Sequence, residues 1–188
     1  MRKCIAERVR ERFVNDPDHE FDMEGGFISD AAATRDELRT ALAAREPAFI
    51  LTSSHGATFP LDNASAMRNS LGVPVDHEHQ LLDVAALADD ASGHGAIWYA
   101  HACCSAGADV ASKFAGLVGA DSTLGQTLAS IAHVGACTAP LPRALLGRSK
   151  PLRAFIGHVE PTFDWTLRHP VTGQVTTHHI VETLYDQL

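Results

Sequence analysis

His55 and Cys103 are the residues whose type and setting best suit chemistry. A thiol attacks a carbonyl only as the thiolate, so it needs a base or a positive field beside it. An imidazole supplies that base near neutral pH. Each residue stands where an apolar run meets a glycine-bearing turn. Ala48–Ser54 runs into His55-Gly56, and Ala96–Ala102 runs into Cys103-Cys104-Ser105-Ala106-Gly107. The two turns lie roughly 50 residues apart in the chain. Peptide N–H groups at Gly56 and Cys103 would face a developing oxyanion, and glycine allows the close approach. Taken singly, each residue has an ordinary explanation: a satisfied polar residue on a turn, and a small buried hydrophobe.

The elements that must position this pair are two buried strands. Both apolar runs have the length and composition of parallel strands covered on both faces. In open α/β sheets, functional groups gather at the carboxyl edge of such strands. Thr34-Arg35-Asp36-Glu37 matches a capping box, which predicts a helix carrying Leu38, Ala41 and Leu42 on one face and ending near Arg45. Residues 57–80, with Pro60, Gly72 and Pro74, read as a long loop. Leu81–Ala91 reads as a short helical turn before Ser92-Gly93-His94-Gly95, and Val110–Val118 as a helix. Asp121-Ser122-Thr123 starts a further helix with Leu124, Leu128 and Ile131 inward, and a short one surrounds Leu145. Leu152–Val159 reads as a third buried strand, and Thr172-Gly173 as a hairpin turn in the alternating tail. Strands alternating with helices imply an α/β fold with a mostly parallel sheet flanked by helices.

Composition bounds the rest. A chain of 188 residues supports one domain with a sizeable core, and 45% hydrophobic with 20% charged residues is ordinary for a globular protein. The net charge of −8 argues against nucleic acid or an anionic membrane as partner. Met1-Arg2-Lys3 is not followed by the apolar core of a signal peptide. Four cysteines, two of them adjacent, do not make a disulfide framework, which points to a reducing, cytoplasmic setting. The histidines His77, His79, His178 and His179 lack the spacing of recognised zinc sites, and Gly93-His94-Gly95 precedes a strand instead of opening a helix. No metal and no cofactor is expected.

The blocks Phe49–Gly56 (FILTSSHG) and Ile97–Gly107 (IWYAHACCSAG) resemble the caspase-like cysteine peptidases, a group that includes caspases, gingipains, separases and CHAT domains. Leu141–Trp165 is similar to the bacterial CHAT-type members, and the resemblance covers about residues 34–167. It implies a caspase-like three-layer sandwich, cleavage of a protein or peptide substrate through an acyl-enzyme, His55 as base and Cys103 as nucleophile. Strand alternation does not choose between Cys103 and Cys104. The resemblance favours Cys103, since Ala102 precedes it and Ser105-Ala106-Gly107 follows, while a Cys-x-x-Gly reading fits Cys104.

In these relatives the position two before the nucleophile lines the first specificity pocket, which here is His101. A core histidine is an equal reading. Glu160, ending the third strand, is the second pocket candidate and would favour an Arg or Lys before the cut. Asp62 and Asp109 are weaker candidates. Residues 1–33 read as a short helix within Glu7–Glu20 and then a loop at Asp22–Asp30, and they show no apolar strand of the kind with which such domains begin, so the chain divides into a poorly defined segment 1–33 and a caspase-like domain 34–188. That departure allows a fragment, or a non-catalytic interaction module completed by a regulatory partner or a further domain.

Overall fold

The computed structural model describes residues 2–18, 26–90 and 93–187. Parts of the expected loop at Asp22–Asp30 and of the turn at Ser92 lie outside these residues. In chain order the helices are α1 (Ala6–Val14), α2 (Arg35–Arg45), α3 (Ala64–Ser70), α4 (Val84–Asp89), α5 (Thr123–Val134), α6 (Pro140–Gly147), α7 (Asp164–Leu167) and α8 (His178–Asp186). The strands are β1 (Phe49–Ser53), β2 (His55–Gly56), β3 (Pro74–Val75), β4 (Ile97–His101), β5 (Gly107–Ala108), β6 (Cys137–Thr138) and β7 (Ala154–Ile156). Among the described residues no helix is long and apolar enough to cross a membrane.

The chain forms two compact units, one of Asp30–Thr162 and one of Met1–Ser29 with Phe163–Leu188. The larger holds a three-stranded parallel sheet in the order β1-β4-β7. Ile50, Trp98 and Ala100 face one side of it, where they pack with Leu42 of α2, Leu87 of α4 and Leu141 and Leu145 of α6. Trp98 is fully buried, and its indole N–H donates to Thr52 Oγ1 on the neighbouring strand at 3.0 Å. That bond removes the cost of burying a donor in an apolar layer. A second, smaller core joins Met67 of α3, Leu71 just after it, Cys104, Ala108 of β5, and Ile131 and Val134 of α5. It sits at the carboxyl end of β4 and holds the cysteine turn.

Local signals explain the helix starts. Thr34 Oγ1 accepts from the Glu37 N–H, as the capping box requires, and Ser122 and Asn63 cap α5 and α3 in the same way. Four expectations need correction. Residues 57–80 are not one loop: they carry α3 and β3, which pairs antiparallel with β2 just before the segment. Val110–Val118 forms turns instead of a helix, with Val110 67% and Leu117 72% exposed, so no apolar stripe is buried to stabilise one. The third strand is only the three residues of β7 and is partly exposed. The tail makes one antiparallel bridge, Arg168 to Val175, around Gly173, and then enters α8 instead of a second strand.

The smaller unit packs α1 against α8. The rings of Phe13 and Tyr185 meet edge to face at 5.3 Å, and the Tyr185 hydroxyl donates to Asp16 at 2.9 Å. Arg168 Nε donates to the buried Cys4 sulfur at 3.1 Å. A groove of about 760 Å³, lined in part by Arg8, Arg12, His178, Glu182 and Tyr185, opens here and contains none of the candidate catalytic or substrate-pocket residues.

Candidate active site

Parallel pairing in register places Ser53 opposite His101, so β1 and β4 end side by side and both glycine-bearing turns leave the same sheet edge. Gly56 lies against the Cys103 backbone so closely that a Cβ built on it would fall 2.1 Å from the Cys103 oxygen. His55 and Cys103 are therefore brought to one edge by adjacent residues of their turns. His55 is exposed, and its ring makes no hydrogen bond to the sulfur among the described residues. The Cys103 N–H likewise has no hydrogen-bond acceptor among the described residues.

The turn separates the two adjacent thiols. Cys104 takes a left-handed conformation (φ 53°), which reverses the chain and sends its side chain into the smaller core, where it is 0% exposed. Burial, with Cys103, Glu160 and Cys137 nearby, pushes its pKa up to about 12. It is a neutral, inert hydrophobe. Cys103 is only partly buried.

The segment after β7 is laid along this turn. Cys104 N–H donates to Glu160 O at 3.1 Å, and Ala106 N–H to His158 O at 2.9 Å. Ser105 Oγ donates to Ala100 O at 2.7 Å and accepts from His158 N–H at 3.0 Å. At the end of the segment Thr162 meets the Cys103 sulfur with three groups: its N–H at 3.3 Å, its hydroxyl at 3.5 Å and its carbonyl at 3.6 Å. Thr162, Ser105 and His158 were not singled out from the sequence. All three act through contacts between distant segments, and no local spacing signals such contacts.

His101 is 1% exposed, which corrects the expectation that it lines a pocket open to substrate. Its Nδ1 lies 3.0 Å from His158 Nε2 and 3.4 Å from the Tyr99 hydroxyl, while its Nε2 is buried without a hydrogen-bond partner among the described residues, as is the hydroxyl of Ser53 across the register. Burial first, and His158 second, lower the His101 pKa to about 4, and burial lowers that of His158 as well. Both rings are neutral at pH 7. Glu160 also differs from expectation. Its carboxylate accepts from Ser112 Oγ and from the Lys113 N–H, each at 2.7 Å, and so tethers the turn-rich segment after β5. Among the described residues no cluster of three metal-ligating side chains exists.

No family model, no curated protein and no solved structure matches this chain.

Proposed function

We propose that the chain is a cysteine peptidase of the caspase-like class, with a caspase-like arrangement of the α/β fold and Cys103 as nucleophile. The observation that carries this reading is the sorting of the paired cysteines: Cys103 partly accessible beside donors, Cys104 sealed in the core. In the reaction His55 takes the thiol proton, the thiolate attacks the scissile carbonyl, and the free Cys103 N–H lies beside the developing oxyanion. The acyl-enzyme then forms as the leaving amine takes the proton from His55, and water releases the acyl group. The gap between His55 and the sulfur would close on substrate binding, as loose geometry before binding commonly does. A preference for basic residues before the cut loses its basis, since the Glu160 carboxylate is already engaged.

The test is labelling with an electrophilic peptide, read by mass spectrometry, together with turnover of a peptide panel. Cys103→Ala should abolish both, and Cys104→Ala should retain both. Full turnover in Cys103→Ala would overturn the assignment. A second reading, an interaction module without catalysis, draws on the absence, among the described residues, of a hydrogen bond from His55 to the sulfur. It is favoured if wild-type protein alkylates at Cys103 yet cleaves nothing in the panel.

A further inference from the structure

We infer that Thr162 is a positioning residue that clasps the Cys103 sulfur and favours its ionised form. The inference rests on the reading of Cys103 as nucleophile. One residue brings three groups to one sulfur. As a thiol, Cys103 donates its S–H to the Thr162 carbonyl at 3.6 Å. Once the proton has left, to His55 or to solvent, the sulfur carries a full negative charge and accepts from the Thr162 N–H at 3.3 Å and the Thr162 hydroxyl at 3.5 Å. Hydrogen bonds to a charged acceptor are stronger than those to a neutral one, so the donors act on the thiolate more than on the thiol.

The clasp is built by the segment that precedes it. The carbonyls of His158 and Glu160 are bonded to Ala106 and Cys104, which fixes the path of the backbone alongside the turn. Pro161 has no N–H and restricts Glu160 to extended backbone, so the next available donor is that of Thr162, and it meets the sulfur. The hydroxyl is the part of this arrangement that a substitution can remove. Valine keeps the shape and the backbone N–H while deleting the Oγ1 donor, and serine keeps the donor.

The experiment measures the rate of Cys103 alkylation by iodoacetamide, with mass spectrometry of the Cys103-Cys104 peptide and no substrate present. At pH 7, Thr162→Val should alkylate roughly three- to tenfold more slowly than wild type, the scale of one typical net hydrogen bond. Thr162→Ser should restore the rate. The deficit should close at alkaline pH, because the hydroxyl acts on ionisation and not on access. Equal rates at pH 7, or a deficit that persists at alkaline pH, would overturn the inference. Thr162→Ala, which demands less of the packing, is measured alongside with the same expectation, and protection of Cys104 reports that each variant is folded. The two readings fail separately. A Thr162 effect without peptide cleavage by wild type removes the proposed activity alone, and cleavage with no Thr162 effect removes the clasp alone.

Discussion

Gly56 packs directly against the cysteine turn and leaves no room for a side chain there. A methyl at this position would meet the Cys103 oxygen at 2.1 Å and its nitrogen at 2.9 Å, and both are backbone atoms with no freedom to swing aside. Gly56→Ala should therefore cost about 2–3 kcal/mol, as forced overpacking does, and should slow Cys103 alkylation by shifting the turn. Urea unfolding and iodoacetamide kinetics measure the two effects, and a fully stable, fully reactive Gly56→Ala would show that the close approach is not needed. Cys104 makes the opposite case. Its sulfur touches only the smaller core, so Cys104→Ala should lower the melting temperature while Cys103 labelling stays at the wild-type rate.

The far face of β4, opposite the Trp98 side, carries a pH dependence. His101 ionises near 4 in the folded chain against an ordinary 6.5, so between these values the unfolded chain binds more protons than the folded one. Stability should accordingly hold above pH 6.5 and fall by about 2–3 kcal/mol as the pH drops toward 4. Urea midpoints at pH 7, 5.5 and 4.5 give the slope, and His101→Gln should flatten it. The segment after β5 yields a second expectation. With Ser112 and Lys113 released from the Glu160 carboxylate, Glu160→Ala should be cut by trypsin after Lys113 several-fold faster than wild type, and an unchanged rate would mean that the tether does not restrain the segment.

These elements also show how much of the molecule was legible beforehand. β1 and β4 are readable because a strand covered on both faces writes a continuous apolar run, and α5 and α2 because a capping side chain marks the first turn. Met67 and Leu71, four residues apart after Asn63, carried the signal for α3, but Pro60 and Gly72 on either side obscured it. Val110–Val118 has helical spacing that no neighbouring surface covers, so tertiary context decides against the helix. At the site, the residue types and the shared edge were readable. The burial of His101 and the contacts of Thr162 and Glu160 were not, since they depend on where the chain returns after β7.

At the scale of the whole molecule, the chain leaves its smaller unit after Ser29 and re-enters it at Phe163. Among the described residues, the contacts from Gly56, Glu160 and Thr162 that hold the Cys103 sulfur and its turn lie within 30–162. A chain of residues 30–162 alone should therefore melt cooperatively and alkylate at Cys103, as circular dichroism and mass spectrometry would record. Loss of labelling in a folded 30–162 fragment would show that the smaller unit contributes to the site.

Two glycines bracket the excursion between β2 and β3, and both rest on the cysteine turn. Gly56 abuts the peptide of Cys103, and Gly72, with φ 69°, abuts that of Cys104 so tightly that a Cβ would lie 1.9 Å from its oxygen. Ala57 closes the base by bonding to Val73 O and to Gly72 N–H at 2.9 and 2.8 Å. Between these anchors, residues 58–62 are largely exposed and present Phe59 and Leu61 to solvent. The excursion thus behaves as a cassette: its rim ahead of the Asn63 cap is open to change in sequence, while its two ends are registered to the cysteine turn. Grafting new residues into 58–62 would change what the rim presents without disturbing the two glycine seats on that turn.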